Sequence, residues 1–117
     1  MRLNEIDYGG APPIDSYGPG FFRVGGVVHH GNLLLLDGVA RRWDGFDDID
    51  DLINGAGTYD VLFVGTGPDI TPLPGALMER FAGIGVMPDL MATPPACRTY
   101  NVLLAEGRRI AAALVAV

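Results

Sequence analysis

The sequence has 117 residues, 49% hydrophobic and 19% charged, and its 14 acidic side chains outnumber 8 basic ones for a formal net charge of −6. A chain of this length closes one core over residues 1–117, and its apolar content sets it apart from disordered chains. Every basic side chain is Arg, which excludes lysine Schiff-base and P-loop chemistry; the single Cys97 and single Ser16 leave no internal disulfide, no multi-cysteine metal centre and little for a serine triad, and the acidic balance argues against nucleic acid as a partner.

The segment Met1 to Asp7 carries charges where an export signal needs an apolar core. Leu3, Ile6 and Tyr8 suggest a loose strand, which Gly9-Gly10-Ala11-Pro12-Pro13 stops. Phe21-Phe22-Arg23-Val24 and Val27-Val28-His29 flank Gly25-Gly26, a short hairpin signal. Adjacent His29 and His30 point to opposite faces of a strand, so the pair reads as a solvated hairpin end rather than a metal site. The unbroken run Asn32-Leu33-Leu34-Leu35-Leu36 predicts a strand covered on both faces.

Polarity then shifts. Phe46, Ile49, Leu52 and Ile53 recur at helical spacing, while Asp44, Asp47, Asp48, Asp50 and Asp51 crowd the other positions. The plain reading is a short helix with a solvated acidic face. A calcium loop is the sharper one, but the spacing lacks alternating ligands and a closing Glu. An acidic docking surface for an Arg-rich partner is a third.

Tyr59 to Val64 predicts a strand ended by Gly65-Thr66-Gly67-Pro68. Thr71 is placed to cap a helix opening at Pro72, with Leu73, Ala76, Leu77, Arg80 and Phe81 on one face and Gly83 as its stop. Ile84 to Met87 reads as a further strand, which makes a strand-helix-strand unit with parallel strands. Thr93 is a second candidate cap, Pro94 and Pro95 the opening turn of a helix running to Gly107, and Ala96, Tyr100, Leu103 and Leu104 its buried stripe. Ile110 to Val117 is the last strand; as an apolar run it is far short of the roughly 20 residues that span a bilayer. The expected location is the cytoplasm, without membrane insertion, or the periphery of the inner membrane through a partner.

Two places carry candidate chemistry. Gly65, Thr66 and Gly67 stand at the carboxyl end of a strand, where open α/β sheets take ligands, although Ile70 occupies the position of the third glycine in a dinucleotide fingerprint. Cys97 and Arg98 fall near a helix start, where free amides and the dipole favour anions and lower a thiol pKa. The alternative is a buried packing cysteine beside an arginine that ties down a loop.

The strings Gly83-Ile84-Gly85-Val86, Met91-Ala92-Thr93, Ala96-Cys97-Arg98-Thr99-Tyr100-Asn101-Val102-Leu103-Leu104 and Glu106-Gly107-Arg108-Arg109 closely resemble a small domain family of unknown biochemical activity. Val61 to Gly67, Ile6-Asp7-Tyr8-Gly9 and the Trp43 segment share the likeness, which covers nearly the whole chain. Members of that family include a mitochondrial respiratory complex I assembly factor, a vertebrate adipogenesis-associated protein and many bacterial and archaeal single-domain proteins. The resemblance implies an α/β fold: a three-layer domain with a mixed, mainly parallel central sheet, flanking helices, an extra N-terminal β hairpin and an antiparallel last strand. It also implies a non-enzymatic, assembly-factor-like role in maturing a membrane-associated complex such as respiratory complex I. It supplies no catalytic residue, metal or cofactor. A protein partner would then meet the acidic face of Asp44, Asp47, Asp48 and Asp51 or an apolar patch near Trp43. Two alternatives stand beside this: a small-molecule or anion-binding protein, or minor enzyme, using a crevice between Gly65–Gly67 and Cys97–Arg98, and a homodimer.

Overall fold

The computed structural model describes residues 11–117, so the expected Leu3–Tyr8 strand lies outside the described residues. Among the described residues, eight strands form two sheets. Strands β1 (Ile14–Gly18), β2 (Phe21–Val24) and β3 (Val27–His30) make an antiparallel sheet in that order. The expected Gly25-Gly26 hairpin is β2–β3, with both glycines at positive φ (54° and 83°) as a two-residue turn of this hand requires. The N-terminal addition is therefore a three-stranded sheet.

The second sheet has the order β5-β4-β8-β6-β7, built from β4 (Leu33–Leu36), β5 (Val39–Arg42), β6 (Val61–Gly65), β7 (Asp89–Met91) and β8 (Ile110–Leu114). It is mixed. The β5–β4 and β4–β8 pairings are antiparallel, whereas β8–β6 and β6–β7 are parallel. The last strand thus runs antiparallel to β4 and parallel to β6, and β6 also pairs in parallel with β7, which begins at Asp89 rather than at the expected Ile84.

Leu33, Leu34 and Leu35 are all buried, as are Ile110 to Leu114, because layers cover both faces of this sheet. On one face, Leu33, Leu35, Phe63, Ala112 and Leu114 pack with the three-stranded sheet and with helix α3 (Thr93–Ala105). On the other, Leu34, Leu62, Val64, Ala111 and Ala113 pack with Trp43, with helix α1 (Asp50–Asn54) and with helix α2 (Gly75–Gly83). The alternation along β4, β6 and β8 sorts their side chains between the two cores.

Three local expectations are corrected and one strand is added. The helix read from Phe46 is reduced to Asp50–Asn54: Gly45 turns at φ 100°, Asp48 N–H donates to its carbonyl, and Asp48 accepts from Asp44 N–H, so the chain turns here instead of winding. The α2 helix opens at Gly75 rather than at Pro72, because Leu73 precedes Pro74 and is driven out of the helical region. Ile84 to Val86 are not a strand. Their amides fold back on the carbonyls of Phe81 and Ala82, ending α2, and pairing with β6 begins only at Asp89. The added strand is β5, which returns along β4 through an Asp37-Gly38 turn whose residues take φ 49° and 78°.

Candidate functional site

The Gly65–Gly67 turn and the start of α3 do meet, but the space between them is filled. Thr93, fully buried, is the joint. Its amide donates to Gly67 O at 2.7 Å, its hydroxyl accepts from Gly67 N–H at 2.9 Å, and the same hydroxyl donates to Val115 O at 2.7 Å. Val115 N–H returns to Gly65 O at 2.8 Å. A Cβ on Gly65 would lie 2.8 Å from Thr93 Oγ1 and 2.9 Å from Leu114 Cδ2, so a missing side chain is what lets β6, α3 and the end of β8 close together. Thr66 is occupied in its own loop: its amide donates to Met91 O, its hydroxyl donates to Asp69 O and accepts from Thr71 N–H. At Gly65, Gly67 and Thr93 the junction is closed by these contacts.

The opening turn of α3 is also chemically spent. Thr93 N–H is committed to Gly67, Pro94 and Pro95 have no N–H, and Ala96 N–H bonds Ala92 O. No amide of that turn is left to hold an anion. Thr93, expected as a cap, is the first helical residue and directs its hydroxyl away from the helix.

Cys97 and Arg98 lie on different sides of α3. Cys97 is buried, and Arg98 is exposed. Burial pushes the thiol up to about 12; the Arg98 charge opposes this without overcoming it. Of the two readings of this thiol, desolvation outweighs the helix end and leaves a protonated group, which fits the packing cysteine. Tyr100, in the same layer, is likewise pushed up to about 12 by burial.

The acidic segment is organised by a residue the sequence reading left out. Arg41 Nη1 stands 3.2 Å from Asp48 Oδ2 and its Nη2 2.8 Å from Asp51 Oδ2. Hydrogen bonding from Arg41, then from the Asp44 amide, holds the Asp48 carboxyl below its ordinary range. Trp43 is enclosed, with Nε1 donating to Asp48 O at 2.7 Å and its ring edge-on to Phe46 at 5.4 Å. The apolar patch expected around Trp43 is therefore interior, whereas Asp44, Asp47 and Asp51 remain exposed. Arg41, directly ahead of the Asp run, was the available signal. His29 is half-buried and His30 exposed on β3, and among the described residues no three His, Cys, Asp or Glu side chains are grouped to hold a metal ion.

A profile described as protein of unknown function (DUF498/DUF598) matches residues 14–115. The chain belongs to this family. An uncharacterized protein of Rhodobacter capsulatus is 50% identical to this DUF498 chain over 115 residues, covering 98% of the chain and 93% of the relative. The NADH dehydrogenase [ubiquinone] 1 alpha subcomplex assembly factor 3 of Danio rerio is 28% identical over 109 residues, 87% of the chain but only 63% of that protein's length. Among solved structures, an outer membrane protein from Bartonella henselae superposes with a TM-score of 0.84 at 34% identity, covering 92% of this chain and 96% of that one. Among the described residues, no helix of the DUF498 chain is long and apolar enough to cross a membrane.

Proposed function

We propose that this DUF498 chain is a non-enzymatic interaction domain that supports maturation of a membrane-associated complex, with respiratory complex I the first to test. The carrying observation is the closed carboxyl end of β6: Thr93 occupies the place where an open α/β sheet receives a ligand, which leaves the surface of the domain for recognition. Kinship with an assembly factor over 87% of the chain supports the same direction.

The partner face in this reading is the 44–51 segment. Asp44, Asp47 and Asp51 are exposed, and Arg41 holds Asp48 and Asp51 in one orientation, so a partner meets a preset array of carboxylates. The recognising chemistry is cationic, an Arg- or Lys-rich surface.

The test is capture of tagged full-length chain from gently solubilised membranes of its own host, with quantification of complex I subunits. Enrichment of those subunits, reduced by the combined Asp44→Asn, Asp47→Asn and Asp51→Asn variant, is the expected outcome. Recovery of no membrane-complex subunit overturns the proposal, and recovery that the triple variant leaves unchanged removes the acidic segment as its contact face.

A further inference from the structure

The three-stranded sheet is held to the rest of the molecule in an unusual way. Among the described residues no strand ladder joins β1–β3 to the five-stranded sheet. At one end, the Asn101 side chain accepts from Ile14 N–H at 2.9 Å and donates to Ile14 O at 2.7 Å, standing in for a neighbouring strand. At the other, Gly20 N–H donates to Val117 O at 2.9 Å. Ile14 is also where the β1–β2 register shifts, between the Ile14↔Val24 and Ser16↔Arg23 pairs, so the side-chain clamp grips the sheet at its irregular corner.

This sheet has little of its own to keep it closed. Ile14, Phe22 and Val24 are its buried side chains, and its outer strand exposes Val27 and Val28. A small antiparallel sheet with one thin apolar face opens at lower free energy than the five-stranded sheet beneath it, which keeps its strand ladder and the whole core on its α1–α2 face when the small sheet leaves. Cys97 lies four residues before Asn101, one helical turn away on the same side of α3, at the margin of the buried stripe.

We infer that β1–β3 form a flap, latched by Asn101, that opens as a unit and uncovers Cys97 and the adjoining face of α3 while the five-stranded sheet and its α1–α2 side stay folded. The molecule carries two natural probes of this on opposite faces of the central sheet: its single thiol, Cys97, in the core under the flap, and its single tryptophan, Trp43, in the other core.

The experiment labels Cys97 of the full chain with an aromatic disulfide at low reagent concentration, so that the rate reports the open population, across urea concentrations below the unfolding transition. Trp43 fluorescence follows that transition in parallel. Flap opening gives labelling with a weaker urea dependence than the Trp43 transition, because less surface is exposed. Asn101→Ala raises the native labelling rate about tenfold. Leu77→Ala, which weakens the opposite core, lowers the Trp43 midpoint and leaves native labelling of Cys97 unchanged. The inference is overturned if labelling of the unsubstituted chain has the full urea dependence of the Trp43 transition, or if Leu77→Ala accelerates labelling as much as it destabilises the fold. The comparison on the unsubstituted chain decides even if either variant fails to fold.

Discussion

At the residue scale, Thr93 and Gly65 carry more of the structure than their size suggests. Replacing Thr93 by Val keeps the shape but strips the buried Gly67 N–H and Val115 O of their partner, at a cost of about 2 kcal/mol. Urea unfolding checks this, with Thr93→Ser, which keeps the hydroxyl, expected to retain most of the stability. Gly65→Ala pushes a methyl into Thr93 and Leu114 and is expected to cost about 1–3 kcal/mol by the same measurement. Cys97 and Tyr100 set a pH limit. Both have folded-state pKa values raised by burial to about 12, so the folded protein holds protons that the unfolded chain releases first. Their stabilisation is whole below the ordinary thiol value of 9.0 and is lost as pH rises from there toward 12. Unfolding midpoints measured from pH 8 upward should fall over that window, and Cys97→Ala should flatten the fall.

At the element scale, the 41–51 segment shows how a polar side chain overrides periodicity. Phe46, Ile49 and Leu52 have helical spacing, yet Asp48 spends its carboxylate on Arg41 and on the Asp44 amide, and the helix winds only from Asp50. Asp48 has its pKa lowered on folding, so the stability it supplies is present at neutral pH and is lost as pH drops through its lowered value. Arg41→Met is expected to cost at most about 1 kcal/mol, since both partners are about a third exposed and water screens the pair. The acid limb of the stability profile should flatten in the variant, because without Arg41 the Asp48 carboxyl loses the largest cause of its lowered pKa, and added salt should narrow the difference between the two proteins at neutral pH. Elements read from one dominant local force were legible: the Gly25-Gly26 turn, the Leu33–Leu36 run and the β-branched core of β6. Those set by competition were not. Pro74 beats the Thr71 cap, and the carbonyls of Phe81 and Ala82 claim the amides of Ile84 to Val86 before a strand does.

At the scale of the whole molecule, the layers explain why the candidate ligand site and the partner face had different fates. Gly65–Gly67 and the start of α3 meet through Thr93. Whether such a junction is a cleft or a seal depends on two prolines, legible in the sequence, that remove amides of the helix turn, and on one hydroxyl whose partners residue spacing does not reveal. The acidic residues needed no tertiary partner to be recognised as surface, because burying several carboxylates together is prohibitive. A charge-complementary partner should therefore bind this chain more weakly as salt is raised, and loss of captured subunits between low and high ionic strength checks that expectation directly.

The amino-acid order by itself determined the α/β layering, the strand run that both cores cover, the acidic segment and the family kinship, because apolar periodicity, glycine turns and charge density act over a few residues at a time. The three-dimensional packing alone decided that Trp43 and Cys97 are interior, that Arg41 organises the carboxylates, and that Asn101 clasps β1. Each of these depends on contacts between residues far apart in the chain, such as the 87 positions between Ile14 and Asn101, and only the folded arrangement sets which polar groups find partners and which side chains lose water.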